Sequence, residues 1–171
     1  PPRPLSVYGA SKLAGEHLLA AHCPNHCIVR TAAMYGQSPC RGKGGKNFVN
    51  LMLELAKTKG EVRVVTDEIT TPTYTAPLAR QIRLIAEKAC PGIYHATCDG
   101  QCSWYEFAQA IFEETVTEVT LHAATSADFP ATVKRPAYSV LENGRLKEQG
   151  LNIMPHWRDA LRQYLPSIQS M

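Results

Sequence analysis

Apolar residues recur at helical spacing along most of this chain, and short apolar runs of strand length stand between those stretches. From about Ala10 to Ala21 the sequence SKLAGEHLLAA is a strong helix former, with Leu13, His17 and Leu18 on neighbouring turns. The run Cys27-Ile28-Val29-Arg30-Thr31-Ala32 is short and mainly apolar, which suits a buried strand. Phe48, Leu51, Met52 and Leu55 repeat at helical spacing ahead of Gly60, a residue suited to a left-handed stop. Glu61 to Val65 predicts a strand. Pro77 to Ala89 predicts a helix whose proline lies in the first turn, where a missing N–H costs nothing. Gly92-Ile93-Tyr94-His95-Ala96 reads as another short strand. Ser103-Trp104-Tyr105-Glu106 is a capping-box pattern, and Phe107, Ile111 and Phe112 after it form the buried stripe of a helix. Val116 to Leu121 is β-branched and strand-like. Asn143 to Gln149 predicts a short helix closed by Gly150, and Trp157 to Leu165 a last helix stopped by Pro166. Pro1 to Val7 is an extended lead-in, and Gln37 to Lys46 is a loop rich in Gly, Pro and basic residues. Strands alternating with helices predict an α/β architecture.

Composition narrows the class. The 171 residues, 44% of them hydrophobic, suffice for a core without disulfides or metals. Eighteen Lys and Arg against fifteen Asp and Glu leave a formal charge of +3, too small a margin to argue for a nucleic acid or membrane partner. No apolar run approaches the roughly 20 residues needed to span a bilayer. Pro1-Pro2-Arg3-Pro4 carries no hydrophobic signal region, so a cytoplasmic protein is expected. Of six cysteines, Cys23 and Cys27 form one C-x3-C pair and Cys98 and Cys102 another, looser than the C-x2-C of structural zinc sites. Reduced thiols, several of them core fillers, and no metal site are expected.

Tyr8 and Lys12 form a Y-x3-K pair at the mouth of the first helix, where residues i and i+4 share a face. A free phenol titrates near 10, and a cation beside it stabilises the phenolate and moves it toward working pH. Lysine's remaining donors suit the hydroxyls of a ribose. A solvated helix face would place the two residues in the same way.

The surroundings single the pair out. Tyr8-Gly9-Ala10-Ser11-Lys12-Leu13-Ala14-Gly15-Glu16 resembles the catalytic helix of extended short-chain dehydrogenases/reductases, and more narrowly that of the dTDP-4-dehydrorhamnose reductase family. The resemblance continues in order through Val29-Arg30-Thr31, Tyr35-Gly36, Asn47-Phe48-Val49, Val64-Val65-Thr66-Asp67, Pro72-Thr73-Tyr74 and Leu78-Ala79. It goes on through Gly92-Ile93-Tyr94-His95, Gly100, Ser103-Trp104-Tyr105-Glu106-Phe107-Ala108, Arg135-Pro136, Trp157-Arg158 and Ala160-Leu161.

This resemblance implies the carboxy-terminal portion of an extended Rossmann-type reductase with its smaller substrate-binding subdomain. Residues 1–36 would close the NAD(P)-binding region with the catalytic helix. Residues 37–171 would mainly bind a sugar nucleotide, with some segments returning to the Rossmann sheet. The implied reaction is NADPH-dependent (or NADH-dependent) reduction of the C4 keto group of dTDP-4-dehydro-L-rhamnose to dTDP-L-rhamnose. Tyr8 would give the proton, and Lys12 would hold the nicotinamide ribose and lower the tyrosine pKa. Arg135 would face the sugar-nucleotide diphosphate, because guanidinium forks suit phosphate oxygens; a surface ion pair beside a proline turn is the other reading. Asn47 and Thr73 stand as substrate contacts or equally as helix and turn caps. A homodimer of the full-length protein belongs to the same expectation. The resemblance also leaves room for Mg2+, but no ligand set for it is legible here.

The chain also departs from the family. Ala33 stands where a tryptophan near the sugar is common, and Pro77 where an acidic residue is usual. The loop Arg41-Gly42-Lys43-Gly44-Gly45-Lys46 is longer and more basic than expected; it misses the phosphate-loop spacing and reads as a solvated loop or a sugar-nucleotide clamp. No glycine-rich dinucleotide turn is found among the eleven glycines, and no upstream Ser or Thr completes the catalytic group. An amino-terminally truncated reductase is therefore expected, with the strand at Cys27–Ala32 and the Tyr8 helix partly uncovered. Two alternatives remain: another nucleotide-sugar epimerase or dehydratase, and a non-catalytic regulatory subunit resembling the methionine adenosyltransferase β subunit, since fold does not fix function.

Overall fold

The structure, a computed structural model, describes residues 2–38, 45–88, 90–129 and 135–169. Helix α1 (Val7–His22) starts at Ser6, whose hydroxyl accepts from the Gly9 N–H at 3.1 Å. It leads through a short turn into β1 (Cys27–Arg30), which runs parallel to β6 (Gly92–His95) with Cys27 opposite Gly92 and Arg30 opposite His95. Strand β2 (Met34–Tyr35) pairs in parallel with β5 (Thr73–Tyr74). Strand β3 (Glu61–Val65) pairs in parallel with β8 (Thr120–Ala124), and β4 (Ile69–Thr70) pairs antiparallel with β7 (Cys102–Ser103). Between them lie α2 (Phe48–Lys59), α3 (Thr75–Lys88), α4 (Trp104–Thr115), α5 (Gly144–Glu148), α6 (Trp157–Tyr164) and α7 (Pro166–Gln169). The parallel pairs joined through helices are the α/β architecture that the alternation predicts.

Local chemistry sets several boundaries. Asn47 caps α2 by accepting from the Asn50 N–H at 3.0 Å, and Gly60 ends that helix at φ 68°, a conformation open to a residue without Cβ. Ser103 and Glu106 form the capping box reciprocally: the Glu106 N–H donates to the serine hydroxyl at 3.1 Å, and the Ser103 N–H to the glutamate at 2.7 Å.

Four expectations shift. Helix α2 buries Val49, Met52 and Ala56, whereas Leu51 is 40% exposed, because the face toward α4 and β3 lies part of a turn away from the one that the Leu51 spacing selects. Val116 does not begin a strand: it ends α4 in the left-handed region at φ 50° and is 89% exposed, and pairing starts only at Thr120. A β-branched residue there is a backbone outlier, held by its N–H bonds to the Phe112 and Glu113 carbonyls. Pro166 does not end the helical region but opens α7, where its missing N–H is harmless. His17 and Leu18 face outward, and Gly9, Leu13 and Glu16 are the half-buried side of α1.

The core is aromatic at its centre. Tyr35 stacks on Tyr74 with ring centroids 5.7 Å apart, meets Tyr164 edge-on at 5.2 Å and tilts against Phe107 at 5.5 Å. Trp157 closes on Phe107 from α6 at 5.9 Å. Such pairs add to the large apolar area each ring removes from water. Buried polar groups tie the loops. The Gln81 amide exchanges hydrogen bonds with the Leu151 carbonyl and the Ile153 N–H, and Asn143 does the same with both backbone groups of Thr97.

Among the described residues two buried hydroxyls, those of Thr31 and Tyr35, lack a hydrogen-bond partner, and desolvation pushes the Tyr35 phenol upward in pKa. Leaving a donor unpaired in the interior is unfavourable. Tyr35→Phe is therefore expected to stabilise the fold by about 1 kcal/mol, read as a higher urea midpoint with an unchanged m-value; a lower midpoint would show that the hydroxyl is satisfied by water.

Candidate active site

Helix α1 carries Tyr8 and Lys12 one turn apart on an outward face. The Lys12 ammonium stands 5.3 Å from the centre of the Tyr8 ring, and Tyr8 is 72% exposed. The Ser11 hydroxyl donates to the Tyr8 backbone carbonyl at 2.8 Å rather than to the phenol. No residue of α1 is buried, and all four residues of β1 are only half-buried, so this face lies uncovered as expected. Leu5, Val7, Leu18 and Leu19 are exposed along the same helix and its lead-in.

Among the described residues, one side-chain polar link joins α1 to the β1–β6 sheet. Arg30 at the end of β1 donates from Nε to Glu16 Oε1 at 2.8 Å and from its terminal amino group to Oε2 at 2.5 Å. That hydrogen bond, chiefly, holds the Glu16 carboxyl below the usual range, while partial burial opposes it. The pairing was not read from the sequence. A signal for it exists in an arginine within an otherwise apolar strand, since such a charge needs a partner when half-buried.

Asn47 and Thr73 converge on one segment rather than on open space. The Asn47 amide donates to the Gly36 carbonyl at 2.9 Å and to the Tyr164 hydroxyl at 2.8 Å. Thr73 is fully buried; its N–H donates to the Ala33 carbonyl at 3.1 Å and its hydroxyl to the Thr71 carbonyl at 3.1 Å. Both therefore hold residues 33–36, the stretch that follows β1. Ala33, standing where a tryptophan is common, takes φ 45°. That left-handed conformation costs an alanine roughly 1 kcal/mol.

Arg135 is exposed. Of the basic loop, residues 41–44 lie outside the described residues, and Lys46 pairs with Glu54 on α2, Nζ donating to Oε1 at 2.7 Å. Cys98 and Cys102 are core residues whose thiols burial pushes up to about 11 and about 12, which disfavours thiolate chemistry there. Among the described residues no group of three or more His, Cys, Asp or Glu could hold a metal ion, and no helix is long and apolar enough to cross a membrane.

A Tyr-x3-Lys helix feeding a parallel strand, with a smaller α/β unit behind it, is the architecture of the extended short-chain reductases. The chain belongs to the family described as RmlD substrate binding domain, whose profile matches residues 1–170. It is 45% identical over 163 residues to the spore coat polysaccharide biosynthesis protein SpsK of Bacillus subtilis, covering 95% of this chain and 54% of that protein. Among solved structures it resembles a dTDP-4-dehydrorhamnose reductase from Clostridium acetobutylicum with TM-score 0.91 and 41% identity, over 98% of this chain and 57% of that one. The reductase of Bacillus anthracis, solved in complex with NADP, matches with TM-score 0.90 and 36% identity, over 97% of this chain and 57% of that one. The chain thus spans little more than half the length of the relatives it matches.

The Glu16–Arg30 pair generates a pH prediction. Because the folded pKa of Glu16 lies below its ordinary 4.5, the pair's contribution is fully present above 4.5 and is lost as pH falls through the lower folded value. Amide-exchange protection factors in α1 should fall in that acid window before those of α4. Glu16→Gln should remove the step, and an unchanged acid response in that variant would assign the step to other carboxylates.

Proposed function

We propose that this chain is the carboxy-terminal half of a dTDP-4-dehydrorhamnose reductase, which reduces the C4 keto group of dTDP-4-dehydro-L-rhamnose to give dTDP-L-rhamnose. The observation that carries this reading is the Tyr8–Lys12 pair, exposed on one face of a helix in a chain of which nearly all aligns with reductases of that name.

Tyr8 donates its proton to the keto oxygen as that oxygen gains negative charge. Lys12 stabilises the phenolate left behind, which makes the phenol a usable acid near neutral pH. The outward ammonium also has donors to spare for the hydroxyls of the nicotinamide ribose, so the two residues fit that end of the cofactor. NADPH, when bound, supplies the hydride to C4. This chain carries no glycine-rich turn for the cofactor's phosphates, and the amino-terminal half typical of the relatives is assigned that task.

Arg135 is assigned to the diphosphate of the sugar nucleotide, which its exposure permits. Asn47 and Thr73 act through residues 33–36, setting the floor beside the sugar, with Ala33 leaving more room than a tryptophan would. A homodimer and a cytoplasmic setting belong to the same reading.

In the full-length reductase, Tyr8→Phe should lower kcat by about 10²–10⁴-fold, the usual contribution of a positioned acid, while sugar-nucleotide binding stays within roughly threefold. Unchanged turnover would refute the assignment of Tyr8. The 171-residue chain alone should bind NADPH only weakly in a fluorescence titration; a dissociation constant in the low micromolar range would overturn the division of labour between the halves.

A further inference from the structure

Glu16 follows Lys12 by four residues and so lies within its reach one turn further along α1, on the half-buried side next to the outward Tyr8–Lys12 face. A lysine and a glutamate at that spacing readily pair on a helix. Here they do not. Among the described residues Lys12 forms no ion pair, and its ammonium stands beside the Tyr8 ring instead. Both Glu16 oxygens are taken by the guanidinium fork of Arg30, at 2.8 and 2.5 Å, and the two side chains are only 18% and 30% exposed. This is the bidentate geometry that makes arginine–carboxylate pairs strong and directional. The other titratable groups facing Glu16 are His17 on α1 itself and His95 on β6, and each favours the ionised carboxylate when it carries a proton. His95 is held in turn, its Nδ1 lying 3.1 Å from the Glu142 carbonyl.

We propose that Arg30 is a positioning residue for the reaction: by holding both oxygens of Glu16 it keeps that carboxylate from pairing with Lys12, so that the ammonium stays beside Tyr8. The inference rests on the reading of Tyr8 and Lys12 as the proton-donating pair. Without Arg30, the Glu16 carboxylate turns one helical turn back to Lys12 and cancels much of the positive field at the phenol. The Tyr8 phenolate is then less stabilised, and Tyr8 becomes a weaker acid. The competing account is mechanical. Among the described residues this pair is the only hydrogen-bonded side-chain link between α1 and the β1–β6 sheet, so its loss could simply loosen the helix.

A double-variant cycle separates the two accounts, because a lost tie is not restored by removing its second half, whereas a released carboxylate is. In protein labelled with ¹³C at tyrosine Cζ, Arg30→Met should move the Tyr8 titration midpoint upward, and Arg30→Met with Glu16→Gln should bring it back. In the full-length reductase, Arg30→Met should lower kcat about tenfold, with KM for the sugar nucleotide changed less than about threefold, and should move the basic limb of the pH profile upward. The double variant should recover most of that kcat. A double variant as impaired as Arg30→Met, or an unmoved Tyr8 titration, overturns the inference and leaves the pair a mechanical tie. If the titration shifts and recovers while the full-length protein reduces no 4-keto sugar nucleotide, the electrostatic arrangement stands and the reductase reading fails.

Discussion

At Gly36 the chain passes so close to Thr75 that a side chain there has nowhere to go: a Cβ at this position would overlap the threonine hydroxyl. The carbonyl of the same residue accepts from the Asn47 amide at 2.9 Å and lies 3.3 Å from the Tyr164 hydroxyl. One backbone unit therefore fixes the start of α2, the start of α3 and the end of α6 relative to each other. The aromatic cluster of Tyr35, Tyr74, Tyr164 and Phe107 packs around this point, and Tyr35 immediately precedes it. Close packing of this kind allows little adjustment, so the path of residues 33–36 follows from it.

The tightness of that region contrasts with the looseness of α1. The helix that carries Tyr8 and Lys12 buries none of its residues, and β1 is covered only in part. Chemistry and rigidity are thus separated. In the proposed reading, the well-packed half of the molecule frames the sugar side through Ala33 to Gly36, while the Tyr8–Lys12 pair stands on a face that the present chain leaves open. Arg30 and Glu16 bridge the two, where a charged side chain leaves the sheet to meet the helix.

Much of this was legible residue by residue. The capping box at Ser103 and Glu106, the glycine stop at Gly60 and the strand at Glu61–Val65 depend on local backbone chemistry, which neighbouring residues settle among themselves. The misread elements share a cause. Val116 has every property of a strand former, yet the end of α4 holds it in a left-handed conformation, and pairing with β3 begins only at Thr120. Leu51 has the spacing of a core residue but lies off the face that α4 and β3 select. In the candidate site, Tyr8 and Lys12 were legible because four residues on a helix is a local distance. Asn47 and Thr73 read equally as contacts or caps in the sequence, and only the tertiary partners show that the Asn47 amide holds Gly36 while Thr73 holds Ala33 through its backbone N–H and Thr71 through its hydroxyl.

By itself, the sequence determined the α/β alternation, most helix limits, the Tyr–Lys pair and the ordered motifs that mark the family, because each rests on interactions spanning a few residues. Tertiary structure alone decided that Tyr35 is buried without a partner, that Gly36 is where three helices converge, and that Glu16 belongs to Arg30 rather than to Lys12. The physical reason is the same in each case. A side chain's neighbours within a turn of helix follow from spacing, whereas its partners across 14 or 117 residues depend on which faces the close-packed core brings together.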